Sequence, residues 1–504
     1  MLWFNLKLTP TIFKGTPILK NISITCLLLL ASCYVAMPYD QQTENLIAPP
    51  PLECTITTSL ESPYFSLGTW PSDTWWEIFD SPQLSCLITE ALAQNPTIQE
   101  VETTIQYSKQ ETIVAKSRLF PYLSFDAEIT KSYLSQNGLY RALNPTVPLN
   151  ANLIDLSLSL QYEFDFWGKN YNIFLAALGE TLAQEAETAQ VRLLVTTSIA
   201  QAYFALKANL LRKELYESLL KINQGNLELQ KLMETSALSS HLDPLLLEES
   251  CEETNKLISS INEEIIVGQH LLNYLVGRGP DTPLDIDETL PSLPPSIAIP
   301  ENLTLDLLAR RPDLMAQIWR VQALAHQVGA AIANFYPNVS LTGLVGLESV
   351  FYPKIFQNQS KTYNVEPAVH LPIFTAGAIQ ANVYAHKASF DAAVYAYNNL
   401  VLQSTQEVAD LLALAQSIYT QKAAQDRIVN ASQTRSELTT LRKNAGLDNR
   451  FDEYRIQIEL VNRKLENVSL LYGQYVATIK LIKALGGGYQ SKYCIPLQAD
   501  GVSS

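Results

Sequence analysis

The chain has 504 residues, 17 % of them charged, and a formal net charge of −15. That balance argues against a nucleic-acid backbone as partner, because phosphate binding needs clustered Lys and Arg. Beyond the N-terminal segment no run of about eighteen or more apolar residues occurs, so no transmembrane helix is predicted.

Lys7, Lys14 and Lys20 form a basic stretch, and Ile22 to Ala31 a short apolar one. Together they read as a secretory signal over residues 1–32, too short to span a membrane. It ends in Leu30-Ala31-Ser32-Cys33. Small residues just before a Cys resemble the lipobox of bacterial lipoproteins, in which the Cys is acylated and becomes the new N-terminus. The resemblance implies a lipid on Cys33, which anchors a protein without making it span. Tyr34 follows, where Asp would be expected in a lipoprotein kept off the outer membrane. The plainer alternative is an ordinary signal peptide with a chance Cys. Cys54, Cys86, Cys251 and Cys494 show neither metal spacing nor a compact disulfide framework.

Residues 33–84 are rich in Pro, Ser and Thr and read as an N-terminal tether and equatorial segment, becoming ordered around Trp75-Trp76-Glu77-Ile78-Phe79. Those tryptophans are expected to pack against a helix base. A helix is predicted from about Ser85. Asn95-Pro96 interrupts and restarts it, since Asn caps and Pro suits the first helical position. Phe120-Pro121 ends it. A strand over about 122–134 alternates Leu123, Phe125, Ala127, Ile129 with Ser124, Asp126, Glu128, Thr130. A loop with Asn137-Gly138 and Asn144-Pro145 returns the chain to a second strand, about 153–166. There Leu156, Leu158, Leu160, Tyr162, Phe164 and Phe166 share one face, and Asp155, Ser157, Ser159, Gln161, Glu163 and Asp165 the other. Its length matches the roughly 9–11 residues that cross a bilayer as a tilted strand.

Gly168 ends that alternation. A helix from about Asn170 to Thr235 follows, about 100 Å long at 1.5 Å per residue. No globular core is so deep, so it must pack on other long helices. Ser236 to Pro244 turns the chain, and a returning helix ends at Gly277. A Pro-rich linker occupies 278–302.

The second half repeats the first. Arg311-Pro312 answers to Asn95-Pro96 and Tyr336-Pro337 to Phe120-Pro121, 216 residues later; Asp452 answers to Asp243 and Gly486 to Gly277, 209 residues later. Strands are predicted at about 338–350 and 362–373, then another long helix, a turn at Ala445-Gly446-Leu447 and a return. The organisation is therefore one unit over 85–277, its copy over 303–488 and a tail over 489–504. Four amphipathic strands cannot enclose a lumen, and open sheet edges are unstable in lipid. Several chains must close the barrel, and three would supply twelve strands.

The residues carry a family resemblance. Trp75-Trp76-x-x-Phe79, Asn95-Pro96 to Phe120-Pro121, Tyr162-x-Phe164-Asp165-Phe166-Trp167-Gly168 and Leu307-Leu308-Ala309-Arg310-Arg311-Pro312-Asp313 stand in this order. Leu371-Pro372-Ile373-Phe374-x-x-Gly377, Glu407-Val408-Ala409-Asp410 and Ala484-Leu485-Gly486-Gly487-Gly488 follow. The set is similar to the TolC-like outer-membrane efflux proteins, most of all to their lipoprotein branch. The resemblance implies a mainly α fold with a membrane β-barrel part: a homotrimeric 12-stranded outer-membrane barrel, continued by a periplasmic α-helical barrel. It implies a passive exit duct of a multidrug-type tripartite pump. The partners would be outer-membrane lipid, a periplasmic adaptor (membrane fusion) protein and an RND-type inner-membrane transporter.

It also implies roles. Asp410 and Glu407 would belong to a periplasmic gate, the alternative being solvated helix carboxylates. Ala237, Leu238, Ser239, Gly446 and Leu447 would form helix tips that meet the adaptor. Ala237 stands where the family has Gly, which questions that turn, since Ala does not favour positive φ. Trp167, Gly168, Pro372 and Gly377 would mark the join between barrel and helices. Asp126, Glu128, Asp155, Glu163, Asp165 and Glu366 would make the lumen acidic; Asp155, Glu163 and Asp165 could equally be rim residues. No catalytic group, metal ligand set or cofactor motif emerges: the five His are scattered, and Gly486-Gly487-Gly488 lacks the Lys-Ser/Thr of a phosphate loop. Other readings are a duct for type I protein secretion or metal export, and a non-conducting coiled-coil envelope lipoprotein.

Overall fold

The computed structural model describes residues 45–286, 291, 293, 296–301 and 303–491. The signal segment, Cys33 and Cys494 lie outside the described residues.

From residue 45 on, the N-terminal segment holds helix α1 (Glu53–Leu60) and strand β1 (Phe65–Gly68). A five-residue 3₁₀ turn, Trp75–Phe79, leads to α2 (Pro82–Gln94). This helix starts three residues before Ser85, because the Ser81 hydroxyl accepts from the Leu84 N–H and Pro82 fits the first turn. Helix α3 (Pro96–Ser117) restarts on Asn95, whose side chain accepts from the Thr97 and Ile98 N–H groups.

Strand β2 (Tyr122–Tyr133), a short helix α4 (Leu139–Leu143) and β3 (Asn150–Phe164) make the first hairpin. Helix α5 (Lys169–Thr235) has 67 residues and α6 (Leu242–Val276) has 35. Strand β4 (Ile297–Pro300) lies in the segment expected to be linker. It pairs parallel with β1, Phe65 opposite Ile297. Phe65, Ile297 and Ile299 are buried there against the middle of the long helices, which is why these two segments form strands.

The copy comprises α7 (Leu303–Arg310), α8 (Pro312–Ala333), β5 (Asn338–Ser349), β6 (Lys361–His370), α9 (Ala378–Asn444) and α10 (Arg450–Ala484). Helices α9 and α10 again have 67 and 35 residues. No described helix is long and apolar enough to cross a membrane.

The four long strands form one antiparallel sheet in the order β2-β3-β5-β6. Its register keeps like with like. Phe125 faces Leu158, which faces Val345, which faces Tyr363. One face is therefore apolar across all four strands. The outer edges of β2 and β6 have no partner among the described residues.

The main core sits around the middle of α5, at Ile199–Leu206. Trp75, Phe79, Tyr203, Phe204 and Tyr475 are buried together, and Phe204 stacks on Tyr475 with ring centres 4.0 Å apart. The expected packing role of Trp75 and Trp76 is what the structure shows. Burial pushes the Tyr475 hydroxyl well above its ordinary pKa, and Tyr397, buried in a neighbouring cluster, up to about 12.

Candidate functional site

The sheet presents two chemically opposite faces. On one, Leu123, Phe125, Ile129, Leu158, Val345, Tyr363, Val365 and Val369 are exposed. On the other stand Asp126, Glu128, Asp155, Glu163 and Glu366. Register adds Glu348, which sequence reasoning passed over: Glu128 faces Asp155, and Asp155 faces Glu348. Three directly opposed carboxylates repel and weaken the sheet unless water screens them. That face is accordingly wet, and the apolar one suits lipid. Glu348 was legible in principle, since it shares the parity of Ser340 and Thr342.

Asp165 does not belong to the acidic face. Strand β3 stops at Phe164, two residues short of the expected end. The Asp165 carboxylate turns back and accepts from the Asn170 N–H at 3.0 Å and the Tyr171 N–H at 2.7 Å. An anion there complements the positive end of a 67-residue helix. Sequence reasoning counted Asp165 by strand parity and missed the cap, although Asp ahead of a helix was the available signal.

Trp167 and Gly168 make the join. Gly168 takes φ +68°, which turns the strand into α5. The Trp167 ring stacks on Tyr336 at 4.7 Å, and its indole N–H donates to the Pro337 carbonyl at 2.8 Å. The end of β3 is thus fixed to the start of β5. At the second join Gly377 has φ +85°, and Ala376 stands where Trp167 stood, with φ +50°. Phe374, 88 % exposed, replaces Asp165. Pro372 lines a crevice of about 410 Å³ with Glu163, Lys169, Asn338 and His370.

Both helix tips close identically. The Leu238 N–H donates to the Met233 carbonyl and the Ala237 N–H to that of Glu234, each at 2.8 Å. Leu447 donates to Arg442 and Gly446 to Lys443, each at 2.9 Å. These are paired Schellman bonds. Ala237 takes φ +59° where Gly446 takes +74°. Ala in place of Gly thus keeps the turn at a cost in backbone strain. Ser239 lies in the first turn, and Leu238 and Leu447 are exposed at the ends.

Asp410 and Glu407 are not at that end, which corrects the expectation of a gate there. Asp410 lies 34 residues before Asn444, the last residue of the continuous helix α9, so about 51 Å from the tip at 1.5 Å per residue. Its neighbours Val408, Leu411 and Leu412 pack with Phe65, Ile297 and Leu307 at the level of the β1–β4 pair. Asp410 itself is exposed and accepts from the Gln406 amide at 3.3 Å. Glu407 accepts from Arg311 at 2.8 Å. A motif match located these residues along the chain but not along the tube.

Arg311 is the buried charge of this level, 8 % exposed. It donates to both Asp313 oxygens, to Glu407 and to the Ala484 carbonyl. Burial pulls its pKa down, but the bonds and charges of Asp313 and Glu407 more than restore it, so it stays above the ordinary arginine value.

The family model for outer membrane efflux proteins matches residues 87–232 and 303–487. The multidrug resistance outer membrane protein MdtP of Shigella flexneri is 26 % identical over 430 residues, 84 % of this chain and 88 % of that protein. The multidrug resistance outer membrane protein MdtQ of Escherichia coli O6:H1 is 26 % identical over 474 residues, 92 % of this chain and 97 % of its own. The crystal structure of the outer membrane protein VceC from Vibrio cholerae superposes with a TM-score of 0.75 at 29 % identity, covering 84 % of this chain and all of that one (100 %).

Proposed function

The chain belongs to the outer membrane efflux protein family, and from that premise we propose that it is the exit duct of a tripartite multidrug-type pump. The family places it in the outer membrane as a channel, not an enzyme. Three copies supply twelve strands for a closed barrel, and their long helices supply a tube beneath it. An inner-membrane transporter of the RND type provides the energy, and a periplasmic adaptor joins it to the tips at Ala237–Ser239 and Gly446–Leu447. A lipid on Cys33 tethers each protomer to the membrane.

The observation that carries this reading is the four-stranded sheet, apolar on one face and acidic on the other, running directly into two helices of 67 residues. A scaffold has no use for such a sheet; a duct needs it. The relatives' names supply the multidrug class. Carboxylates on the wet face favour cationic cargo.

Deleting the gene and measuring retention of a panel of toxic compounds tests this directly. Retention should rise for several of them and fall again on complementation. Unchanged retention across the panel would overturn the reading. Palmitate labelling should vanish in Cys33→Ala; persistent labelling would remove the lipid anchor.

A further inference from the structure

The unpartnered edges of β2 and β6 raise the question of what covers them, and the internal repeat answers it with a register. In the first hairpin Tyr122 pairs with Gln161 and Thr130 with Leu153. Moved on by the repeat offsets, these positions become Asn338 with His370 and Gly346 with Thr362, and both pairs are present in the second hairpin. The duplication has therefore kept strand register without slippage over the whole hairpin. One pairing has no observed counterpart. Strand β3 joins the two repeats by pairing with β5, Leu160 opposite Gly343 and Gln161 opposite Thr342. The repeat images of β3 and β5 are β6 and β2, the two open edges.

We propose that these edges close on a second copy of this chain in the same register. Val369 then stands opposite Ala127 of the partner subunit, and His370 opposite Asp126 of the partner subunit. This rests on the trimeric duct proposed above and adds the residues that build its seam. The chemistry fits. Val369, Pro367 and Tyr363 meet Ala127, Ile129 and Tyr133 of the partner subunit on the lipid face. His370, Glu366 and Asn364 meet Asp126, Thr130 and Ser132 of the partner subunit on the wet face. A slip of one residue would turn every side chain to the wrong face. A slip of two preserves the faces, and there the repeat decides. The same operation lays Ala376 over Phe120-Pro121 of the partner subunit, where Trp167 lies over Tyr336-Pro337 within one chain. It also covers Ile373, 84 % exposed in the single chain.

Cysteine pairing reads the register. Directly opposed residues of antiparallel strands have Cα atoms about 4.5–5.5 Å apart, inside the roughly 4.4–6.8 Å a disulfide spans. Diagonal neighbours are about 7–8 Å apart. The background carries Ser at Cys54, Cys86, Cys251 and Cys494. In it, Val369→Cys with Ala127→Cys should oxidise to reductant-sensitive dimers and trimers on a gel. Val369→Cys with Phe125→Cys, or with Ile129→Cys, should link several-fold less. The wet-face pair Asp126→Cys with His370→Cys repeats the test if the first pair disturbs folding. Stronger linking of a slipped pair overturns the register, as does no linking of either matched pair in protein of trimer mass. Light scattering of this four-serine background in detergent is the separate arm: a single-chain mass would overturn the trimeric duct itself.

Discussion

The Arg311 guanidinium donates to the Ala484 carbonyl at 3.1 Å, where in the other repeat the Asn95 amide donates to the Leu275 carbonyl at 2.7 Å. Each bond ties the start of α3 or α8 to the last turn of a returning helix, α6 or α10. Glycine follows in both places, Gly277 at φ +95° and Gly486 at φ +88°. A Cβ on Gly486 would overlap the Arg310 carbonyl, and one on Gly277 would press Gln94 at 3.1 Å. Removing Arg311 leaves Glu407 and the Ala484 carbonyl without this donor and Asp313 with only the Leu314 N–H. Arg311→Ala should therefore destabilise by about 1.5–3 kcal/mol, the range for hydrogen bonds to charged groups, because Glu407 stays 40 % exposed to water. Asn95→Ala should cost about 1–2 kcal/mol, for a cap and one bond. Denaturant unfolding in detergent, followed by tryptophan fluorescence, checks the order of the two.

The first tip carries removable strain. Ala237→Gly should stabilise the α5–α6 turn, because an L residue in the left-handed region costs about 1–2 kcal/mol. Part of that gain is lost to the freer unfolded chain. Gly446→Ala should do the reverse at the other tip. Hydrogen exchange of the two turns would show protection rising in one variant and falling in the other.

Acid should loosen the second tip. Asp448 is held below the ordinary carboxylate range by its bonds from Arg442, and Glu459 by Arg435. Burial alone would raise Glu453, but bonds from Lys443 and Thr440 outweigh it and leave it lowered. Depressed carboxyl groups stabilise the fold above their unfolded pKa of about 4 and lose that contribution as pH falls below it. Exchange protection around residues 440–460, corrected for intrinsic rate, should therefore drop as the pH falls below about 4.

Two glycines of β5 should respond differently to alanine. A Cβ on Gly346 would stand 2.5 Å from the Leu156 carbonyl oxygen and 2.9 Å from the Ser157 Cα. One on Gly343 would meet only the Leu160 Cβ at 3.8 Å. Gly346→Ala should lower the yield of assembled protein in the outer membrane, and Gly343→Ala should leave it near normal. Heat-modifiable migration on a gel separates the outcomes.

Strand parity, proline punctuation and the repeat made most of this architecture legible, because each is local or recurs along the chain. Ile154 to Phe164 could be read as a two-faced strand from alternation alone. What escaped depends on position in space. The Glu407–Asp410 motif told nothing of height along the tube. Asp165 followed the strand's parity in sequence but serves the helix after it. β1 and β4 form only because distant segments meet on the long helices, so neither carried a signal of its own.

The matched helix lengths, 67 with 67 and 35 with 35, constrain how such a chain can change. One residue added to α5 alone would push its tip about 1.5 Å past its counterpart and rotate the turn by about 100°. The rim would become uneven, with three tall tips and three short ones. Insertions here are tolerable only in concert, in both repeats and on both limbs, so the reach of the tube is inherited as a single quantity rather than as four.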